Sequence, residues 1–269
     1  MLSLIIAISC GAATGLALYF SGTFGCGWSI FFGTLGFGAV QMGIGFVLQK
    51  KVKAAMRAVE TVLINGQKAV QAKTQRWQTR PPGSVQEAQN EIARDQRRFV
   101  AEALALTEPL HRFDSWMPLM KRQIATAQFQ LYWMIKEYRK CDALMDKALF
   151  VEPTMYAMKM ARYHTLGKPT DEIRKVYDKG RKRLRYNQNV LIAAAWTWIL
   201  VRRGETDEAF KALNEALKNS DNETLKANRE ALANNRVAHF SNTGIGDTWW
   251  ALGLEEPKVK MQRQRMQWR

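Results

Sequence analysis

Apolar residues fill almost every position of the first 49 residues, where no Asp, Glu, Lys or Arg occurs. Residues 2–20 and 28–49 form two apolar segments of 19 and 22 residues, joined by the Gly-rich turn 21–27. A helix rises about 1.5 Å per residue, so each segment is long enough to cross a hydrocarbon core of about 30 Å. The pattern predicts a transmembrane helical hairpin. A buried core element and a signal peptide are the alternatives. A signal peptide fits less well, because no basic region precedes the apolar stretch and the stretch is twice the usual length.

The first charges after this segment are all positive: Lys50, Lys51, Lys53 and Arg57. Basic residues that flank a span tend to stay on the cytoplasmic side and are attracted to anionic headgroups. We therefore predict a two-pass protein of the bacterial inner (plasma) membrane with both termini cytoplasmic. These four residues are predicted to contact anionic lipid headgroups.

Glycines recur within both predicted spans, and small residues allow helix backbones to approach closely in lipid. Gly11 and Gly15 lie four residues apart on the first span, and Gly36 and Gly43 lie on the second. We predict that these four glycines pack membrane helices together. Packing within one hairpin and association of several copies both fit this pattern.

After residue 49 the apolar residues recur at alternating steps of four and three, which indicates a long helix that continues the second span. Gly66 and Lys73 interrupt its apolar stripe. The residues 80–83, Arg-Pro-Pro-Gly, should end this helix, and Ser84 with Glu87 predicts a capped restart. The result is a juxtamembrane antiparallel helix pair over residues 50–109, with a separate oligomeric coiled coil as the alternative.

Beyond residue 110 a pattern of small and large apolar positions repeats three times. Its members are Ala125, Phe129, Tyr132, Tyr138, Cys141, Met145, Ala148 and Pro153; then Ala157, Ala161, His164, Ile173, Tyr177 and Gly180; then Ala193, Thr197, Leu200, Ala209, Leu213, Ala216 and Asp221. Measured at Ala148, Gly180 and Ala216, the period is 32 and then 36 residues. Residues 122–221 thus resemble the tetratricopeptide repeat (TPR), and the stretch 204–221, GETDEAFKALNEALKNSD, carries the best match.

The resemblance implies antiparallel helix pairs that stack and present a concave groove to a segment of another protein. On that basis we expect partner-binding residues on the first helix of each pair, namely Tyr132, Lys136, Tyr163, Trp198 and Arg202. Helical hairpins unrelated to this family are the alternative. The predicted fold class is all-α: a transmembrane hairpin (1–49), a juxtamembrane pair (50–109), TPR-like repeats (110–240), and a capping segment with a basic tail (241–269).

The sequence lacks the residue constellations of an enzyme. Its three histidines are far apart, no glycine loop precedes a Lys-Ser/Thr pair, and the three cysteines suggest no disulfide framework. Adjacent carboxylates such as Glu255–Glu256 point apart on a helix and are expected on the solvated surface. We therefore predict no catalysis, no cofactor and no metal site.

The net charge of +16 arises entirely after residue 49, from 40 Lys and Arg against 24 Asp and Glu. Five of the seven residues 179–185 are basic, as are five of the residues 258–269. Anionic lipid headgroups or an acidic protein account for this charge; a nucleic acid is the least favoured partner, because no nucleic-acid fold is recognisable. We predict a non-enzymatic membrane-anchored scaffold with protein partners in a membrane complex. A subunit of a homo- or hetero-oligomeric assembly and a tethered nucleic-acid binder are the alternatives.

Overall fold

The computed structural model describes residues 2–22, 24–117, 119–183 and 188–256, and throughout these ranges the chain is helical without strands. It divides into two compact units, Met1–Leu149 and Phe150–Arg269. The boundary falls inside the segment 110–240 of the sequence-based division into four parts, which stays a prediction.

The first unit is built on one exceptionally long helix. It contains α1 (Leu2–Phe20), α2 (Cys26–Thr79), α3 (Val85–Thr107), a 3₁₀ helix (Glu108–Phe113), α4 (Met120–Met134) and α5 (Tyr138–Leu144). At 54 residues, α2 is about 80 Å long. The predicted second span and the helix after it are therefore a single continuous element. By length and apolar composition, both α1 and α2 are able to cross a membrane.

Glycines set the contact between α1 and the first part of α2. A Cβ atom added to Gly11 would lie 2.8 Å from the Gly33 carbonyl oxygen, and one added to Gly33 would lie 2.9 Å from the Gly11 carbonyl oxygen. Gly15 faces Ser29 and Gly33, so the two helices run antiparallel. Gly36 only borders Thr14, at 3.4 Å, and Gly43 faces open space. Gly33, which the sequence analysis did not select, lies at the centre of the contact.

The start of α1 is bound to the segment between the 3₁₀ helix and α4. The Leu2 N–H donates to the Ser115 carbonyl oxygen at 2.8 Å, and the Ser3 hydroxyl donates to the Trp116 carbonyl oxygen at 2.7 Å. The first turn of a helix has N–H groups without intrahelical partners, and unpaired backbone groups are costly near lipid. These bonds therefore fix the beginning of α1 beside the chain segment that leads into α4.

The second part of α2 packs against α3, and the two interruptions in its apolar stripe have structural reasons. A Cβ atom at Gly66 would lie 2.4 Å from the Phe99 ring, so the ring occupies the space above the glycine. Lys73 pairs with Asp95 and, at 3.5 Å, with Glu91 on α3. Around these contacts Val59, Phe99, Val100, Ala103 and Leu131 form a buried cluster. This cluster joins α2, α3 and α4.

The ends of these helices follow the sequence signals. The helix α2 ends at Thr79, immediately before the segment 80–83, and the Ser84 hydroxyl accepts a hydrogen bond from the Glu87 N–H at 3.1 Å. The helix α3 then ends at Thr107, and Pro109 lies in the first turn of the following 3₁₀ helix. The structure thus shows α2 and α3 as a helix pair with the predicted turn between them, whereas the position of this pair next to a membrane stays a prediction.

The second unit consists of short helices packed around α8. It contains α6 (Pro153–Thr165), α7 (Thr170–Arg183), α8 (Val190–Arg202), α9 (Thr206–Leu217), α10 (Glu223–Ala233), two 3₁₀ turns (Val237–His239 and Thr243–Ile245) and α11 (Asp247–Trp250). Every residue from Leu191 to Leu200 is buried, because α6, α7 and α9 all pack on α8. Gly180 lies within α7 because the Tyr156 ring would be 3.0 Å from a Cβ atom there. Paired helices occupy the segments compared with repeat units, whereas the repeat architecture stays a prediction.

The glycine contact predicts that α1 and α2 separate when Gly33 is enlarged. We expect Gly33→Leu to force the helix axes toward the spacing of about 8–10 Å that larger side chains require. Gly38→Leu is the control, because a Cβ atom at Gly38 meets nothing within 4 Å. The distance between spin labels at Cys10 and at Leu35→Cys, in a Cys26→Ser background, measures the effect. Equal distance distributions for the two variants would show that Gly33 does not set the contact.

The Phe99 ring above Gly66 predicts coupled energies at these two positions. Gly66→Ala should destabilise the chain, because overpacking costs about 1–3 kcal/mol and the better helix propensity of Ala returns only about 1 kcal/mol. Phe99→Leu should cost less in the Gly66→Ala background than in the wild type, since the smaller side chain relieves the overlap. Denaturant unfolding of the four proteins of this cycle tests the coupling. Strictly additive free energies would contradict it.

Candidate functional site

Two of the predicted partner-binding residues, Tyr132 and Lys136, belong to the first unit. Tyr132 is half-buried on α4, and the Lys140 ammonium lies 5.0 Å from the centroid of its ring. Lys136 is exposed and follows the end of α4, in the turn to α5, with a φ of 59°. The sequence analysis expected Lys136 on the first helix of its pair, whereas the structure places it in the turn after that helix.

Tyr163 lies on α6 in the second unit, beside a basic cleft. The Lys159 ammonium is 5.3 Å from the Tyr163 ring centroid and 4.9 Å from that of Phe150. Lys175 and Lys179, one turn apart on α7, line the same cleft of about 280 Å³. The arrangement places positive charges next to aromatic faces, a combination that stabilises the cations and leaves a surface of positive potential.

Trp198 and Arg202, one turn apart on α8, lie in one cluster around the Glu255 carboxylate. The Trp198 indole N–H donates to Oε1 of Glu255 at 2.8 Å, and the Trp249 indole N–H donates to Oε2 at 2.9 Å. Arg202 Nη2 lies 3.4 Å from Oε1, and the guanidinium carbon lies 5.0 Å from the Trp198 ring centroid. We call these four residues the carboxylate clamp. Oε1 of the carboxylate thus contacts one neutral and one charged N–H donor, and Oε2 accepts from a neutral donor.

The clamp corrects the expectation that Glu255 belongs to the solvated surface. Only a quarter of its side chain is exposed, and three N–H groups surround it. Sequence periodicity gave no signal for this contact, because Glu255 is 57 residues from Trp198 and lies outside any repeat unit. The sequence analysis noted the adjacent carboxylates Glu255 and Glu256 but had no signal that would place Glu255 against α8.

Buried amides position the segment that carries the clamp. The Asn228 side-chain N–H donates to Oδ1 of Asn242 at 2.8 Å, and the Asn242 side-chain N–H donates to the Ala194 carbonyl oxygen at 3.0 Å. Both asparagines are essentially inaccessible to solvent. Since buried amides are stable only when they are hydrogen-bonded, these contacts attach the loop before α11 to α8 and α10. Trp249, itself fully buried, is thereby held 6.0 Å from the Trp198 ring.

His164 borders the clamp. Its ring meets Trp198 edge to face at 5.5 Å between centroids. Burial, and to a smaller extent the positive charges of Arg203 and Arg202, lower the pKa of His164 below its usual range. The lowered pKa favours the neutral form of the imidazole next to the clamp.

The clamp is a binding arrangement. Two indole N–H groups and a guanidinium contact this carboxylate, and such donors bind an anion. In the ranges 2–22, 24–117, 119–183 and 188–256, no group of three or more His, Cys, Asp or Glu converges to hold a metal ion. The expectation of no catalysis stays a prediction.

The predicted lipid-contact residues share one stretch of α2. Lys50, Lys51, Lys53 and Arg57 are all exposed and directly follow the charge-free part of the helix. Among the residues whose placement is described, none of the four forms an ion pair. The basic tail 258–269 and residues 184–185 of the basic segment 179–185 lie outside the described residues.

Comparison of the chain with models of protein families, with curated proteins and with solved structures found no match. The function of the chain therefore has to be inferred from its residues and their geometry.

Proposed function

We propose that this chain is a non-enzymatic, membrane-anchored scaffold that binds protein partners on the cytoplasmic side of a bacterial inner membrane. The continuous helix α2 carries the proposal. Its first 24 residues, 26–49, contain no charge, whereas the part after Lys50 packs against α3 and α4. One rigid element thus connects an apolar hairpin to a folded polar domain.

The exposure of the hairpin supports lipid as its surroundings. Large apolar side chains point outward from both helices: Phe20 is 80% exposed, and Met42 and Phe46 are each 73% exposed. Soluble proteins rarely expose a contiguous apolar surface of this kind. The exposed lysines that follow on α2 favour the cytoplasmic side for the rest of the chain by the positive-inside rule.

The helix pairs of residues 110–240 supply the scaffold surface in this proposal. Their resemblance to TPR units suggests peptide binding, and the clamp suggests the chemistry of the peptide. Trp198 and Arg202 already hold a carboxylate, so this surface suits a partner with an acidic side chain. Such a partner competes with Glu255.

A second candidate is association of the hairpin with other copies or other membrane proteins. Added Cβ atoms at Gly38, Gly43 and Gly45 would meet nothing within 4 Å, so these three glycines are not used to pack α1. Small residues on a lipid-facing helix allow another helix to approach closely. Native mass spectrometry in mild detergent separates the candidates, because a strict monomer excludes self-association.

The topology is tested through the three native cysteines. Cys26 lies within the segment 21–27, where α2 begins, whereas Cys10 lies in mid-span of α1 and Cys141 is buried. We expect a membrane-impermeant maleimide, added to spheroplasts with an intact inner membrane, to label the wild type and not Cys26→Ser. If the label reacted only after the spheroplasts were broken, the turn 21–27 would lie on the cytoplasmic side, and the proposed topology would be wrong.

The partner surface is tested by comparing two exposed cations. We expect a stoichiometric partner to copurify with the wild type from detergent-solubilised membranes and to be lost in Arg202→Ala. Lys211→Ala is the control, since this exposed lysine on α9 pairs only locally with Glu208. The loss of Arg202 should leave the fold intact, because exposed ion pairs contribute only about 0–1 kcal/mol. An unchanged set of copurifying proteins for both variants would argue against the clamp surface.

A further inference from the structure

A second cleft, of about 460 Å³, lies in the first unit between the 3₁₀ helix, α4 and α5. Basic side chains from three places in the chain line it: His111 from the 3₁₀ helix, Lys121 and Arg122 from the first turn of α4, and Lys147 from after α5. None of these residues was selected from the sequence. We call this pocket the headgroup cleft.

Three cations of the headgroup cleft, Lys121, Arg122 and Lys147, are not paired with a carboxylate of any described residue. In the part of the chain that is described, the ammonium groups of Lys121 and Lys147 and the guanidinium of Arg122 form no ion pair. Two carboxylates also line the cleft, those of Asp114 and Asp146, but Oδ2 of Asp114 already pairs with Nδ1 of His111 at 3.0 Å. The cleft therefore keeps an excess of positive charge and free donors for an anion.

The packing of the first unit places this cleft at the end of the charge-free part of α2. Leu110 and Phe113, which flank His111 in the 3₁₀ helix, are buried in one cluster with Val52 of α2, and Leu48 packs against that cluster. The chain beyond Asp114 binds the start of α1 through the Ser115 and Trp116 carbonyl groups. Both membrane helices thus reach the level of the cleft where their apolar segments end, which is where lipid phosphates lie.

We propose that the headgroup cleft binds the phosphodiester of one anionic phospholipid, with Lys121, Arg122 and Lys147 donating to the phosphate oxygens. Guanidinium groups bind phosphate in a bidentate manner, and ammonium groups act as point charges beside it. The exposed row from Lys50 to Arg57 attracts a lipid surface diffusely, whereas a concave cleft surrounds one headgroup. The proposal rests on the membrane insertion proposed above.

The test measures lipid retention by native mass spectrometry, with the full chain released from nanodiscs that contain phosphatidylcholine with or without phosphatidylglycerol. We compare the wild type, Lys121→Gln/Arg122→Gln/Lys147→Gln, and the control Lys68→Gln/Arg94→Gln/Arg97→Gln. The control removes the same charge from exposed positions of α2 and α3. We expect one retained phosphatidylglycerol per wild-type chain. The cleft variant should bind about 100-fold more weakly, since each basic residue near the surface contributes about 1 kcal/mol, and the control should stay within about threefold.

Each outcome decides the proposal. Equal weakening of lipid binding in both triple variants would overturn the proposal in favour of diffuse attraction. Displacement of the lipid by millimolar inorganic phosphate would overturn it in favour of a soluble phosphate ligand.

Circular dichroism checks that the variants fold. If the triple variant is unfolded, Arg122→Gln alone replaces it, with an expected loss of lipid affinity of about tenfold. An alkaline carbonate wash of native membranes tests insertion separately: a chain that is washed off refutes the anchor, whereas a retained chain without lipid selectivity refutes only the cleft.

Discussion

The structure depends on the unbroken backbone hydrogen bonding of α2. A polar turn within a hydrocarbon layer would leave N–H and C=O groups unpaired, so a chain that leaves lipid on one side must continue as a helix until water can solvate its first break. Here the helix continues for 30 residues beyond Gln49, from Lys50 to Thr79, before the segment 80–83 ends it. The orientation of α3 and α4 in the first unit is therefore fixed by their packing on the helix whose first part, in the proposed function, lies in the membrane.

Glycines, which lack a Cβ atom, determine two of the helix contacts in the first unit. Gly11, Gly15 and Gly33 allow the backbones of α1 and α2 to approach closely. In the proposed membrane hairpin this approach is what holds the two helices together, because hydrophobic attraction does not do so in lipid. In the polar part of α2, Gly66 has the opposite function, because it makes room for the large Phe99 ring in a hydrophobic cluster. One helix thus uses the absence of a Cβ atom for two different kinds of packing.

Sequence reasoning reached the elements whose signals are local. The apolar lengths, the capping residues Ser84 and Glu87, and the proline-rich stop at 80–83 each act within a few residues, and the helices begin and end there. Contacts between distant residues carried no such signal. Nothing in the spacing of Gly33 distinguishes it from Gly43, and the α1–α2 register, which decides between them, is set only when the helices meet. Likewise Lys136 fell within the helical pattern, although its positive φ places it in a turn.

In the carboxylate clamp, the carboxylate and the groups that bind it belong to the same chain, and this affects how the proposed scaffold binds a partner. Glu255 is tethered to the surface that it occupies, and buried hydrogen bonds hold its segment in place, so its carboxylate binds there without the loss of translational freedom that a separate molecule undergoes. A single acidic side chain from another protein is at a disadvantage against it. In the proposed function, a partner therefore displaces Glu255 only if it binds further residues at the same time. It meets the exposed guanidinium of Arg202 first, because the Trp198 and Trp249 rings are buried. The proposed surface thus favours extended partners that make several contacts over single carboxylates.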